Sequence, residues 1–212
     1  MLVVIRGAGD LASGIALRLY RAGARIVMLD VEVPTAVRRS VAFSEAIRLG
    51  EAQVEGIKAV RAKDVTDALR IVGEKNIAVL VDSEGACISE LKPDVLVDAI
   101  LAKRNIGTTK DMAPVVIGVG PGFKAGTDSR SDCHAVIETK RGHYLGKVIY
   151  DGMPIPNTGV PGNIGGFTKE RVLWSPAEGI FEPVAKIGDM VKRGDIVAMV
   201  SGVPVKATID GV

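Results

Sequence analysis

The sequence predicts an α/β fold: a Rossmann-like parallel-sheet domain, then a glycine-rich β region, then a partial barrel-sandwich module of the lipoyl or biotinyl kind. Three observations predict it. Short, nearly continuous aliphatic runs alternate with amphipathic stretches through the first hundred residues, and a glycine turn joins the first run to the first such stretch. Beyond residue 120 the helical period gives way to short strands separated by glycine turns. Runs apolar on both faces belong to strands covered on both sides, as in a parallel sheet. The expected divisions are 1–125, 126–166 and 167–212.

In chain order, LVVIR (2–6), RIVMLD (25–30), IAVLVD (77–82), VLVDA (95–99) and VVIGVG (115–120) read as the buried strands. Between the first two, Leu11, Ile15, Leu17, Leu19 and Tyr20 fall near one helical face, and Gly23 suits the C-terminal cap. Helices are also expected over Thr35 to Leu49 and Asp64 to Lys75, with Thr35 and Asp64 as N-caps and Asp67 favouring the dipole of the second. HAVIETKR (134–141) then alternates as an edge strand with one charged face, and GHYLGKVIYDG follows it. PIPNTGVPGNIGG (154–166) reads as a linker. In the last segment, strands are separated by turns at Gly188-Asp189 and Gly194-Asp195. Pro176–Ile180 and Thr208–Val212 share the form x-x-acid-Gly-aliphatic, which suggests two related halves with the second only begun where the chain ends. No lysine occupies the turn position that carries a cofactor in swinging-arm domains.

Composition narrows the function classes. The 27 basic and 25 acidic residues leave a formal charge of +2, too balanced for a protein whose main partner is a nucleic-acid backbone. No signal-peptide core and no apolar span of bilayer length stand out, so a soluble, cytoplasmic protein is expected. Cys87 and Cys133 lie apart without a CxxC, and only His134 and His143 are histidines; no metal site is expected.

The main candidate site is RGAGDLASG. Gly7, Gly9 and Ala12 match G-x-G-x-x-[GA] between a strand and a helix, and Asp30 ends the next strand 23 residues after Gly7. Such a turn lets a diphosphate approach backbone amides. Asp10 complicates it, because a carboxylate capping the first-turn amides would stand where the anion belongs, unless Arg6 or another cation compensates. Asp82 and Asp98 also end strands, which would gather with Asp30 at the same sheet edge. Lys103, Arg104 and Asn105 follow Asp98, either to neutralise an anion or as a solvated helix end. Gly118, Gly120, Gly122 and Gly126 surround Lys124, either as an amide nest or as a plain turn. Lys140, Arg141 and His143 form either a second anion-binding group or a solvated hairpin.

RGAGDLASG, PTAVRRSVAFSEAI, LKPDVLVDAILAKRN, MAPVVIGVGPGF, VIETKRGHYLG and TGVPGNIGGFTKERVL together resemble the accessory proteins of selenium-dependent molybdenum hydroxylase systems, the YqeB family. Members of that family usually extend further than this chain. The resemblance implies a part in maturing molybdenum hydroxylases, and implies that residues 6–14, 98–105, 118–123 and 138–143 line the ligand site. The expectation is a binding and delivery protein: an anionic pterin (molybdenum cofactor) or nucleotide-type ligand in the crevice, a molybdenum hydroxylase as client, and a possible homo-oligomer. The alternative is an enzyme. It would be a nicotinamide-dependent oxidoreductase using Asp30 on a ribose, or a selenium or sulfur transferase using Cys87 or Cys133 as thiolate.

Overall fold

The structure is a computed structural model describing residues 1–212, and the chain divides into two compact units, Met1–Asn157 and Thr158–Val212. It is a mixed α/β protein with one large, mostly parallel sheet, one small antiparallel sheet and few helices. None of those helices is long and apolar enough to cross a membrane.

The first unit is built on nine strands. These are β1 (Leu2–Arg6), β2 (Arg25–Asp30), β3 (Glu51–Val54), β4 (Ile57–Arg61), β5 (Ile77–Val81), β6 (Val95–Asp98), β7 (Val115–Val119), β8 (Ala135–Ile137) and β9 (Val148–Ile149). Their order across the sheet is β3-β4-β5-β2-β1-β6-β7-β8-β9, parallel except for the two outermost strands. Four helices cover it: α1 (Asp10–Arg21), α2 (Glu45–Leu49), α3 (Val65–Gly73) and α4 (Ile88–Leu91).

The period of two in β1 decides which helix lies on which face. Leu2 and Val4 join Ala68, Ile71 and Val72 of α3 and Ile88 and Leu91 of α4 in one core. Val3 and Ile5 join Ala12, Ala16 and Leu17 of α1 and Ala46 and Ile47 of α2 in the other. Aliphatic runs are needed because both faces are dry. The α1 face differs from expectation: small residues, Ala12, Ser13 and Ala16, are buried with Leu17, whereas Leu11 is exposed.

Residues 35–49 do not form one helix. Val37 and Val41 in its first half are exposed, the buried residues begin only at Ala42, and Thr35 caps nothing. The chain instead runs irregularly to a 3-10 turn at Arg39–Val41 and is then tied to the start of α1. The Phe43 amide donates to Ser13 Oγ at 2.8 Å and the Ser44 amide to the Ala8 carbonyl at 2.9 Å. The β3–β4 hairpin was unforeseen. Its turn puts Glu55 and Gly56 at φ 49° and 78°, the two positive angles of a type I′ connection, without the Asn-Gly or Asp-Gly that would announce it.

β8 is not an edge strand, because β9 pairs outside it. Val136 and Glu138 are buried rather than on a solvated face. The expected break after residue 125 falls inside the first unit, since β8 and β9 extend its sheet.

In the second unit, β10 (Phe181–Pro183), β11 (Ile196–Val200) and β12 (Val203–Lys206) form an antiparallel sheet in the order β10-β11-β12. The two expected glycine-aspartate turns are present and alike. Asp189 accepts from the Lys186 amide at 2.7 Å, and Asp195 from the Lys192 amide at 2.8 Å.

Among the helices of the first unit, α3 has a side-chain cap: Asp64 Oδ1 accepts the Asp67 amide at 2.8 Å. Asp64→Ala is expected to lower stability by about 1 kcal/mol. Urea unfolding should show a lower midpoint with an unchanged slope.

Candidate ligand-binding site

β1 lies between β2 and β6, and the chain builds outward to one side through β2 and β5 before returning to β6 on the other. In open parallel sheets, ligands bind beyond the carboxyl ends of strands at such a reversal. A cleft of ≈ 380 Å³ lies there, with Gly7, Gly9, Asp10, Asp30, Arg38 and Leu101 among its lining residues. That volume is in the range of small-molecule sites.

The two glycines of the turn have different physical reasons to be glycine. Gly7 has φ +96°, and a Cβ on it would come within 2.9 Å of the Ala99 carbonyl oxygen, so the backbone just beyond β6 leaves no room for a side chain there. Gly9 has φ −66° and ψ −175°, angles open to any residue, and a Cβ there would have nothing within 4 Å. Gly9 is also the N-cap of α1, and no side chain caps that helix. The fold requires glycine at 7 and tolerates a side chain at 9.

Asp30 ties the turn down. Its Oδ2 accepts from the Ala8 amide and its Oδ1 from the Val31 amide, both at 2.8 Å. Burial raises its carboxyl above the ordinary range, and these two amides draw it partly back. Asp10 does not cap α1, contrary to expectation. Its Oδ2 forms an ion pair with Arg38, so the compensating cation comes from the loop after β2 and not from Arg6. Arg38 was missed in the sequence, where VPTAVRRS offers only a helical pattern that the structure does not follow.

Arg6 is 1% exposed and lies behind the turn. It stands opposite Asp98 in the β1–β6 register, Nη1 to Oδ2 at 3.6 Å. Thr108 joins them: Arg6 Nη1 donates to Thr108 Oγ1 at 2.7 Å, and that hydroxyl donates to Asp98 Oδ2 at 2.6 Å. Arg6 Nη2 donates to the Ser83 carbonyl at 3.1 Å, while Nε has no partner. Arg6 and Asp98 are therefore structural charges beneath the cleft and do not line it.

The later candidates are placed elsewhere. Lys103 and Arg104 are exposed and outside the cleft lining, although Leu101 of the same loop is in it. Gly120 and Gly122 serve loop packing. A Cβ on Gly122 would come within 2.5 Å of the Arg104 backbone, and one on Gly120 within 2.8 Å of Thr139 Oγ1. Lys140, Arg141 and His143 are exposed on the β8–β9 hairpin, at the same end of the sheet but three strand spacings, about 14 Å, from β1. His143 packs edge-on against Tyr144, with Lys147 Nζ 5.4 Å from that ring. His134 is engaged by the sheet, its Nδ1 accepting the Val116 amide at 3.0 Å. No three His, Cys, Asp or Glu side chains are grouped so as to hold a metal ion.

Asp82 accepts the amides of Gly85 and Cys87, at 2.9 and 2.8 Å. Burial and the neighbouring Asp82 push the Cys87 thiol up to about 12, and burial pushes Cys133 up to about 11.

The chain is 53% identical over 210 residues to the Escherichia coli (strain K12) protein named "Uncharacterized protein YqeB", a match covering 99% of this chain and 38% of that protein. This similarity supports the resemblance to the YqeB family, over a chain that spans less than two fifths of that relative's length. No family model and no solved structure matches.

The buried Glu138 anchors the cationic hairpin: Oε1 accepts the Lys140 amide at 2.7 Å and Oε2 the Ile155 amide at 2.8 Å. Burial opposes its ionisation, but the amides of Ile155, Lys140 and Thr139 prevail and hold it below the ordinary glutamate range. A carboxylate depressed in the folded state stabilises the protein above its unfolded pKa and loses that contribution as pH falls through the folded value. Glu138→Gln is therefore expected to be destabilised at pH 7, with the gap from wild type closing below about pH 4. Thermal unfolding of both proteins across that range measures it.

Proposed function

We propose that the first unit is a Rossmann-like ligand-binding domain that holds an anionic nucleotide-type or pterin ligand at the β1–α1 turn, and that the protein serves the maturation of selenium-dependent molybdenum hydroxylases by delivering that ligand to a client enzyme. The order β5-β2-β1-β6-β7-β8 supports the first part, since it follows the 3-2-1-4-5-6 arrangement of dinucleotide-binding sheets. The second part rests on what the resemblance of RGAGDLASG, LKPDVLVDAILAKRN and VIETKRGHYLG to the molybdenum hydroxylase accessory proteins implies.

The observation that carries the proposal is Gly9. At an N-cap in the extended region Ser, Thr, Asp and Asn stabilise the helix by accepting a first-turn amide, whereas glycine, also common there, leaves that amide free. Here that position is bare, its angles suit any residue, and the space its side chain would fill is open cleft. Uncapped amides facing a cleft suit a diphosphate. Neutralisation of Asp10 by Arg38 removes the repulsion that would otherwise oppose that anion.

Binding is favoured over group transfer. Thiols raised to about 12 and about 11 supply almost no thiolate at neutral pH for sulfur or selenium chemistry. An aspartate with an amide on each oxygen is less suited to the ribose contact expected of a nicotinamide enzyme. On this proposal the second unit, with its paired turns and three-stranded sheet, is a partial barrel-sandwich module that docks the client.

Gly9→Ser is the direct test. A serine cap should keep or raise stability, by a few tenths of a kcal/mol, while filling the place of the anion. Titration calorimetry with ADP and ADP-ribose should show wild-type binding weakened about tenfold or more in the variant. A serine variant that binds both as well as wild type overturns the proposal, as does a wild-type protein that binds neither and yields no pterin or nucleotide by native mass spectrometry.

A further inference from the structure

In a nucleotide-binding sheet, the acid that ends the second strand reads ribose hydroxyls. Asp30 occupies that position, yet each of its oxygens already accepts a backbone amide at 2.8 Å. Asp10 lines the same cleft under different conditions. Its Oδ2 is paired with Arg38, which holds the carboxylate in one orientation, and its Oδ1 has no protein partner. Asp10 is therefore the less engaged of the two acids, since one of its oxygens has no protein partner while each Asp30 oxygen already gives one of its lone-pair sites to an amide.

Resting on the nucleotide-type function proposed above, we infer that Asp10, oriented by Arg38, is the carboxylate that recognises the ligand's sugar hydroxyls. We infer also that the cleft selects a nucleotide diphosphate with an unmodified ribose over one whose ribose carries a further phosphate. The charges in the cleft lead to that selection. Asp10 and Asp30 against Arg38 leave an excess of one negative charge among the acidic and basic residues lining it. A ribose hydroxyl donates to a free carboxylate oxygen in a charge-assisted bond. A phosphate in its place brings about two negative charges and no donor. The diphosphate is met by the uncapped amides of α1, and Arg38 offsets the Asp10 charge beside it.

Arg38 is the group that could reverse the selection. Its side chain is 70% exposed, and Asp10 is its ion-pair partner. Were it to leave Asp10 for a ligand phosphate, the phosphorylated ribose would bind better, and removing Arg38 would abolish the advantage.

Calorimetric titration of the full chain with ADP-ribose and with 2′-phospho-ADP-ribose distinguishes these outcomes, with circular dichroism confirming that each variant is folded. Wild type is expected to bind ADP-ribose about tenfold or more tightly than its 2′-phosphate. Asp10→Asn is expected to weaken ADP-ribose and to bring the two affinities close together, and Arg38→Ala, which leaves both acids unopposed, to weaken both compounds and the 2′-phosphate more. Equal affinities in wild type, tighter binding of the 2′-phosphate that Arg38→Ala abolishes, or a preference that survives Asp10→Asn each overturn the inference while the nucleotide cleft stands. If wild type binds neither compound, the nucleotide version of the proposed function fails with it.

Discussion

The carboxyl edge of the large sheet depends on a charge that has to be paired where water does not reach. Arg6 and Asp98 face one another across β1 and β6, each 1% exposed, with the Thr108 hydroxyl donating to one and accepting from the other. Removing one member of such a pair leaves a buried charge uncompensated, at about 3–5 kcal/mol, so the sequence must deliver all three residues together. The consequences spread through the loops. Ser83 and Thr108 are drawn to Arg6 from the segments after β5 and β6, and Asn105 fixes the Thr108 turn by accepting its amide at 2.8 Å. The next residue along each strand, Gly7 and Ala99, then meet at a distance that excludes any side chain on Gly7. The cleft floor is thus set from beneath, by groups that never touch a ligand.

The walls are held differently. Asp10 and Arg38 pair near solvent, where such a contact contributes only about 0–1 kcal/mol. It is too weak to matter to the fold and strong enough to orient a carboxylate. Asp30 shows the reverse balance, since it is half-buried and bonded twice to backbone, and so holds the Gly7–Ala8 turn against the end of β2. The two aspartates divide the work. The one with the familiar spacing supports the turn, and the one that seemed an obstruction is presented to the cleft.

How much of this could be read beforehand follows from where each interaction is encoded. The central strands were legible because burial on both faces leaves near-continuous apolar runs in β1, β2, β5 and β6, with charged residues only at their ends. The Asp64 cap of α3 was legible because donor and acceptor lie three residues apart. The segment 35–49 was misread as one helix capped by Thr35 because what decides its path is long-range: Phe43 and Ser44 bonding to Ser13 and Ala8. Arg38 was lost with it. The β8 strand looked solvated because Glu138 and His134 are polar, yet both satisfy backbone amides, of Lys140, Ile155 and Val116. A charged residue that serves as an amide acceptor inside a fold carries no local mark distinguishing it from one in water. For the same reason Lys140, Arg141 and His143 could be assigned to the glycine turn by charge, but their distance from it depends on a strand order that the sequence does not print.

On the proposed function, a rigid floor and a lightly held wall favour reversible binding. If a ligand's diphosphate is met by amides that the fold already points at the cleft, little reorganisation accompanies entry, and the affinity lost on release is set by the exposed contacts alone. Those contacts lie on Asp10 and on the irregular segment between β2 and α2 that carries Arg38, whose packing comes from Phe43 and Ser44 at its far end. A partner that displaced this segment would take Arg38 from Asp10 and restore the repulsion between that carboxylate and the diphosphate, without disturbing the Arg6, Asp98 and Thr108 group below. Release coupled to docking then needs no change in the sheet. It needs only that the partner bind the displaced segment better than the one seated on the cleft, the differential affinity on which any such shift depends.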